Sequence, residues 1–416
     1  MLAAVNILFL AFVCAWIWKR DTQPLHKLFW PALLAKCLAG IGLGIIYSTY
    51  YDPSDTFIFF KLACDQADVA REDFGTYLNV LFTKEQGFFL GEYRTVFFSK
   101  ITSVLALLTG NNYWISSLYY SLFSFFGAWY LSNTIARLFP NFKAAAVLAF
   151  LFFPSAVFWS SGIIKESISM AALFFLSALF LKAWAKERIP VVSLLLAIVC
   201  VTVIFKLKYY YLAAFLPIAL SALIVKYLSE KLHVNLHVNR PAVVIALWIV
   251  IVGCGFAAVT FLHPNFSPAK VLTVITFNNK VFMDVCTPED VVHYSNLRPT
   301  WSSVLINSPW ALISGLFRPF IWEANTVFKF ITALENFALL VLTIISLRQL
   351  RNLFRSSQYL LIISILAYCF VLCIFLALST PNFGTLARYG AGYLPFFAAL
   401  VFNQPFIAKW LSRFGL

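Results

Sequence analysis

Hydrophobic and polar positions in this chain alternate on the scale of whole helices. Apolar runs of about 20 residues recur, the length that crosses a hydrocarbon core of ~30 Å, and short basic breaks separate them. This rule predicts about eleven spans, at 2–18, 29–48, 113–136, 144–160, 163–184, 190–206, 209–226, 242–262, 326–346, 358–378 and 391–408. Two segments, 49–112 and 263–325, are too polar to be single spans yet carry patterned apolar residues. In the first, apolar residues recur at three and four along 94–108; in the second, 309–323 does the same with added aromatics. Both patterns predict amphipathic helices lying in the interface plane. The expected fold is therefore an all-α polytopic membrane protein, with residues 1–416 forming one transmembrane domain. Its two outer-face loop regions are 49–112 and 263–325.

Charge orients the spans. One set of short breaks carries Lys19, Arg20 and Lys27, then Arg137 and Lys143, then Lys182, Lys186 and Arg188. The same set continues with Lys226, Lys231 and Arg240, with Arg348, Arg351 and Arg355, and with Lys409 and Arg413. Cytoplasmic loops concentrate Lys and Arg, so this side is expected inside, with the first terminus and both long loops outside. Lys19 and Arg20 follow the first apolar run instead of preceding it, which is the wrong polarity for a signal peptide; it is read as a retained span. Composition agrees: 62% of the residues are hydrophobic and 12% charged, which excludes a soluble fold. The net charge of +14 is scattered over helix ends and builds no basic face, so no nucleic-acid partner is expected. The expected setting is the bilayer of a bacterial inner membrane; the sequence does not address oligomeric state.

The eight cysteines show no metal spacing. Cys369 and Cys373, four apart in an apolar run, read as small apolar residues of one helix face. Cys64 and Cys286 fall in the two long segments, and sequence leaves open whether they pair.

Candidate chemistry collects on the expected outer side. Asp52 and Asp55 follow the second span, and carboxylates near the hydrocarbon edge are costly enough to call for a reason. Arg94 lies in the first loop. Lys165 and Glu166 sit in the turn between two spans, and Lys206 and Lys208 in another; these lysines run against the charge rule. Arg318 and Glu323 precede the ninth span, and Arg388 and Tyr389 the last. Carboxylates can serve as general base toward a hydroxyl. Arg and Lys can hold a phosphate leaving group, and aromatic walls suit a sugar face and a polyprenyl tail. Each residue also has a plain reading. Asp52 and Asp55 can be a solvated loop, Lys165 and Glu166 a local ion pair, and Lys206 and Lys208 headgroup-seeking chains.

Taken together, the chain resembles the integral-membrane glycosyltransferases of the C type (GT-C). The resemblance rests on the acidic motif Asp52-Pro-Ser-Asp55 after an early span and on the segment Thr109-Gly-Asn-Asn-Tyr-Trp leading into another. It rests too on the hairpin at 154–167 with Lys165-Glu166 where many members carry an acidic residue, and on Arg388-Tyr389 before the final span with Pro395 following. It implies a polyprenyl-phosphate-linked sugar donor, an acceptor on the outer face, and Asp55 or Asp52 as base. Arg388, Tyr389, Arg318, Lys208, Lys165, Glu166, Arg94 and Glu323 are then candidates for substrate and phosphate binding. A divalent metal at Asp52 and Asp55 is conceivable, although two carboxylates fall short of a hard-cation shell. The chain departs from the family in having a span before the one that leads to the acidic loop. That departure also suits polysaccharide polymerases, the second expectation. A lipid or solute transporter is the third, with no internal repeat to support it.

Overall fold

Most of the long apolar runs form single helices, and two of them break where Pro154 and Pro405 open new helices. The computed structural model describes residues 2–50, 54–83, 92–231, 241–261, 266–348 and 356–413. Among them the chain is helical nearly throughout, with no strand and one isolated bridge, Val291 to Asn382. By contacts it divides into two compact units, Met1–Tyr209 and Tyr210–Leu416.

The first unit opens with α1 (Leu2–Arg20) and α2 (Phe29–Thr49), followed by α3 (Asp55–Glu72), α4 (Phe74–Phe82), α5 (Tyr93–Thr109) and α6 (Tyr113–Leu138). Local sequence sets the α5–α6 junction. Gly110 ends α5 with φ +67°, a conformation that costs little without a Cβ, and the Asn112 side chain accepts the Ile115 N–H at 3.1 Å to cap α6. The expected span 144–160 is broken. A short α7 (Lys143–Ala146) runs into a π-helical stretch at Val147–Phe152, and Pro154 then starts α8 (Pro154–Phe158). Proline lacks the N–H needed in a helix interior but fits a first turn, which accounts for the restart. α9 (Lys165–Trp184) and α10 (Val191–Lys231) complete the run. α10 holds 41 residues, and its backbone leaves helical geometry at Lys208 (φ −141°, ψ 54°), between the two spans expected there.

Within the first unit α6 packs along α9 and α2, and α3 packs along α5. A shared core gathers Phe59 and Phe60 of α3, Phe98 and Leu105 of α5, Tyr120 of α6, Ile163 before α9 and Leu207 at the α10 break. That core draws the starts of α3, α5 and α9 and the α10 break to one end of the unit.

The second unit takes up the rest of α10, then α11 (Pro241–Val259), α12 (Pro268–Val285), α13 (Trp301–Phe317), α14 (Val327–Leu347) and α15 (Tyr359–Ser379). It ends with α16 (Phe383–Gly390), α17 (Leu394–Val401) and α18 (Pro405–Ser412). α15 is its centre, packed against α12 and α13. Cys369 and Cys373 are buried on that helix, and all eight cysteines are free thiols. The expected span 391–408 is two helices bent by 89°, with Pro405 opening the second.

Among the described residues, seven helices are long and apolar enough to cross a membrane: α1, α2 with its preceding turn, α9, α10, α11, α14 and α15, or up to eight if the bent α17–α18 pair is one span. The chain thus has the profile of a polytopic helical membrane protein. α6 coincides with the expected span 113–136 but is rich in buried serines, Asn133 and Thr134, which lower its hydropathy. The interfacial patterns at 94–108 and 309–323 fall on α5 and, in part, on α13.

Candidate functional site

Six of the residues nominated from sequence, Asp55, Arg94, Lys165, Glu166, Lys206 and Lys208, gather at one end of the first unit. Glu166, in the first turn of α9, is fully buried. Lys208, at the break in α10, donates to its Oε1 at 2.7 Å, and its side chain is 4% exposed. A buried charge is tolerated when it is paired in this way, because an unpaired one would carry the whole desolvation cost. Next to it, the Lys165 ammonium donates to Thr95 Oγ1 at 2.8 Å, lies 3.9 Å from Glu92 and rests 4.7 Å from the centre of the Phe59 ring. Arg94 forms an ion pair with Glu92, and its guanidinium sits 5.9 Å over the Tyr209 ring. Nearly two turns along α5 from Arg94, Lys100 donates to the Thr83 carbonyl at 3.0 Å. Burial lowers its ammonium below the ordinary lysine range, and the nearby Lys206 charge adds to the shift. Lys206 in turn lies 4.7 Å over Phe97. Among the described residues cations outnumber carboxylates here: Arg94, Lys100, Lys165, Lys206 and Lys208 stand with Asp55, Glu92 and Glu166.

Asp55 belongs to the same end. It is the exposed first residue of α3. The next residue, Thr56, is buried; its hydroxyl donates to the Ile163 carbonyl at 2.8 Å and shares a 2.8 Å hydrogen bond with the Tyr113 hydroxyl. Ile163 is two residues before Lys165. Asp55 is also four residues before Phe59, the ring beneath Lys165, and residues so spaced neighbour each other on a helix surface at ~5–6 Å. Asp52 lies outside the described residues. Among the described residues no group of three or more His, Cys, Asp or Glu side chains could hold a metal ion.

Sequence reasoning passed over Lys36. It lies in the middle of α2, is 4% exposed, and donates to the Val157 carbonyl at 3.2 Å and to Ser160 Oγ. The signal was present, a single cation inside an apolar run, and such residues in spans are costly enough to be informative. Lys36 satisfies carbonyl and hydroxyl groups at the end of α8 and ties the 154–164 turn to α2. Gly162 in that turn has φ +70° and donates its N–H to Ser121 Oγ at 3.1 Å.

The remaining candidates belong to the second unit. Arg318 follows α13 and makes a two-pronged ion pair with Glu323, with Nε 3.0 and 3.1 Å from the two carboxylate oxygens. Its guanidinium lies 4.8 Å from the Phe383 ring and 5.4 Å from Trp310. Glu323 also accepts the Phe320 N–H at 2.8 Å. Burial pushes the Tyr294 hydroxyl up, against the opposing charge of Arg318. Arg388 is half-buried in the last turn of α16. The Tyr389 carbonyl accepts from the Tyr211 hydroxyl at 3.3 Å, and its ring lies 6.4 Å from that of Tyr210. Cys286 Sγ lies 3.4 Å from Asn382 Nδ2.

No family profile, curated protein or solved structure matches this chain.

Proposed function

We propose that the chain is an integral-membrane glycosyltransferase that moves a sugar from a polyprenyl-phosphate-linked donor to an acceptor hydroxyl. In this reading the protein crosses the bacterial inner membrane about eleven times by the ~20-residue rule, with the reacting face outward. The observation that carries it is the cluster in the first unit. An exposed carboxylate, Asp55, lies one helical turn from the ring that supports Lys165, and Lys165 lies beside Glu92, Arg94 and the Glu166–Lys208 pair.

The chemistry follows from those groups. The acceptor oxygen attacks the anomeric carbon while its proton passes to the Asp55 carboxylate. The bond from that carbon to the phosphate oxygen breaks, and the electron pair leaves with the phosphate. Lys165 and Arg94 face the growing phosphate charge, and fixed cations lower such a barrier because they need no reorganisation as the charge forms. Glu166 and Lys208 neutralise each other and hold the α9 start against the α10 break, so their share is positioning.

The test is turnover of polyprenyl-linked saccharide in membranes at matched expression. Asp55→Asn keeps the shape and removes the base, so turnover should fall on the order of 10²-fold or more. Normal turnover in both Asp55→Asn and Asp52→Asn membranes would remove the assignment.

A further inference from the structure

A groove of about 900 Å³ runs along the first unit between α1, α6, α9 and α10. Its floor is made of small residues. Gly127 of α6 lies so close to α9 that a Cβ there would stand 2.6 Å from the Ala171 carbonyl oxygen. Its walls are apolar and aromatic, with Phe123, Trp129, Phe175, Leu196 and Val203 among them. On α9 the lining runs from Ile168 to Lys182, or about 21 Å at 1.5 Å per residue. That exceeds half of a ~30 Å hydrocarbon core, so one leaflet's acyl chain fits along it.

One end of the groove is cationic. Arg20 closes α1, Arg137 is in the last turn of α6, and Lys182 is in the last turn of α9; all three line it. Among the described residues, Arg137 of these three has an ion-pair partner, Glu187, held through two hydrogen bonds. The Arg20 guanidinium lies 4.5 Å over the Trp16 ring. Lys182 lies 4.6 Å over the Tyr130 ring and donates to its hydroxyl at 2.5 Å. Asp21, the acidic residue in the lining, accepts the Gln23 N–H at 3.0 Å, and its second oxygen lies 3.9 Å from His26 Nδ1. Rings hold these cations extended without neutralising them. The cationic end lies 17 residues along α9 from Lys165, roughly 26 Å, so that end of the groove and the charged cluster lie at opposite ends of α9.

We propose that this groove binds one anionic phospholipid, with its phosphate on Arg20 and Lys182 and one acyl chain laid along α9. In the orientation expected from the charge rule this end faces the cytoplasm, whose leaflet carries anionic lipid. The site does not depend on the transferase reading, and its test reads lipid retention instead of turnover.

The full chain, purified in detergent, is mixed with phosphatidylglycerol or phosphatidylcholine and bound lipid is counted by native mass spectrometry. Wild type should retain one phosphatidylglycerol and little phosphatidylcholine. The double variant Arg20→Gln, Lys182→Gln should lose on the order of tenfold or more of that retention, since each basic residue near a membrane surface contributes measurably. Val199 lines the groove and is 55% exposed, so Val199→Trp should block the chain site without disturbing the core. Arg188→Gln, on an exposed residue outside the lining, should bind like wild type. Equal retention of both lipids overturns the proposal, as does wild-type retention by the double variant or by Val199→Trp. Displacement of the lipid by inorganic phosphate overturns it as well, because it would show a free-anion site.

Discussion

At the scale of single residues, the Glu166–Lys208 pair shows how a charge is kept inside an apolar unit. Both side chains are almost fully removed from solvent, so removing one partner takes from the other the 2.7 Å contact that offsets its burial. Lys208→Met and Glu166→Gln should each destabilise the protein by about 3–5 kcal/mol. The double replacement Glu166→Met, Lys208→Met should cost less than either single change, because it buries no charge. Thermal unfolding of the three variants in detergent measures this, and a double variant weaker than both singles would show that the pair does not hold the α9 start to the α10 break. The pairing explains why reading the lysines singly from sequence was incomplete. Lys208 looked like a free outer cation beside Lys206, and only the meeting of α9 with α10 gave it Glu166. Arg318 is a parallel case in the second unit, where Glu323, five residues on, takes its guanidinium.

At the scale of elements, the turn from 159 to 164 is set by close contact with α2 and α6. A Cβ on Gly40 would stand 2.1 Å from Ser121 Oγ, the atom that accepts the Gly162 N–H. Gly40→Ala must therefore displace Ser121 and weaken the turn that delivers Lys165 and Glu166. A loss of about 1–3 kcal/mol is expected, the usual cost of overfilling a packed site. Two residues away, a Cβ on Gly42 meets nothing within 4 Å. Gly42→Ala should be neutral or stabilise α2 by up to about 1 kcal/mol, from helix propensity alone. The two variants share one helix and one chemical change, so a chemical or thermal melt in which they shift equally would disprove the contact. The prolines explain where elements differ from the spans read along the chain. Apolar content at 144–160 and 391–408 is sufficient for a span, but Pro154 and Pro405 begin new helices in place of continuing old ones.

At the scale of the molecule, the charge rule predicts that both long segments face one side of the membrane. Asn79 on α4 and Lys280 on α12 are exposed and report those segments, while Arg188 reports the basic side. With the native cysteines replaced by serine, Asn79→Cys and Lys280→Cys should react with an impermeant maleimide on intact cells, and Arg188→Cys only after the membrane is opened. Labelling of either outer position only after opening would overturn the orientation. The sequence alone determined the helical membrane class, because apolar length and the need to satisfy every backbone hydrogen bond leave few alternatives. It also marked Asp55, Arg94, Lys165, Glu166 and Lys208, since charge near an apolar run is costly and therefore conspicuous. Tertiary structure decided which of those charges neutralise one another, that Lys36 ties α2 to the hairpin, and that Arg20 and Lys182 end in one groove. Such facts depend on contacts between residues far apart in the chain, such as Glu166 with Lys208 and Lys36 with Val157, and periodicity along a sequence holds no record of which helices will meet.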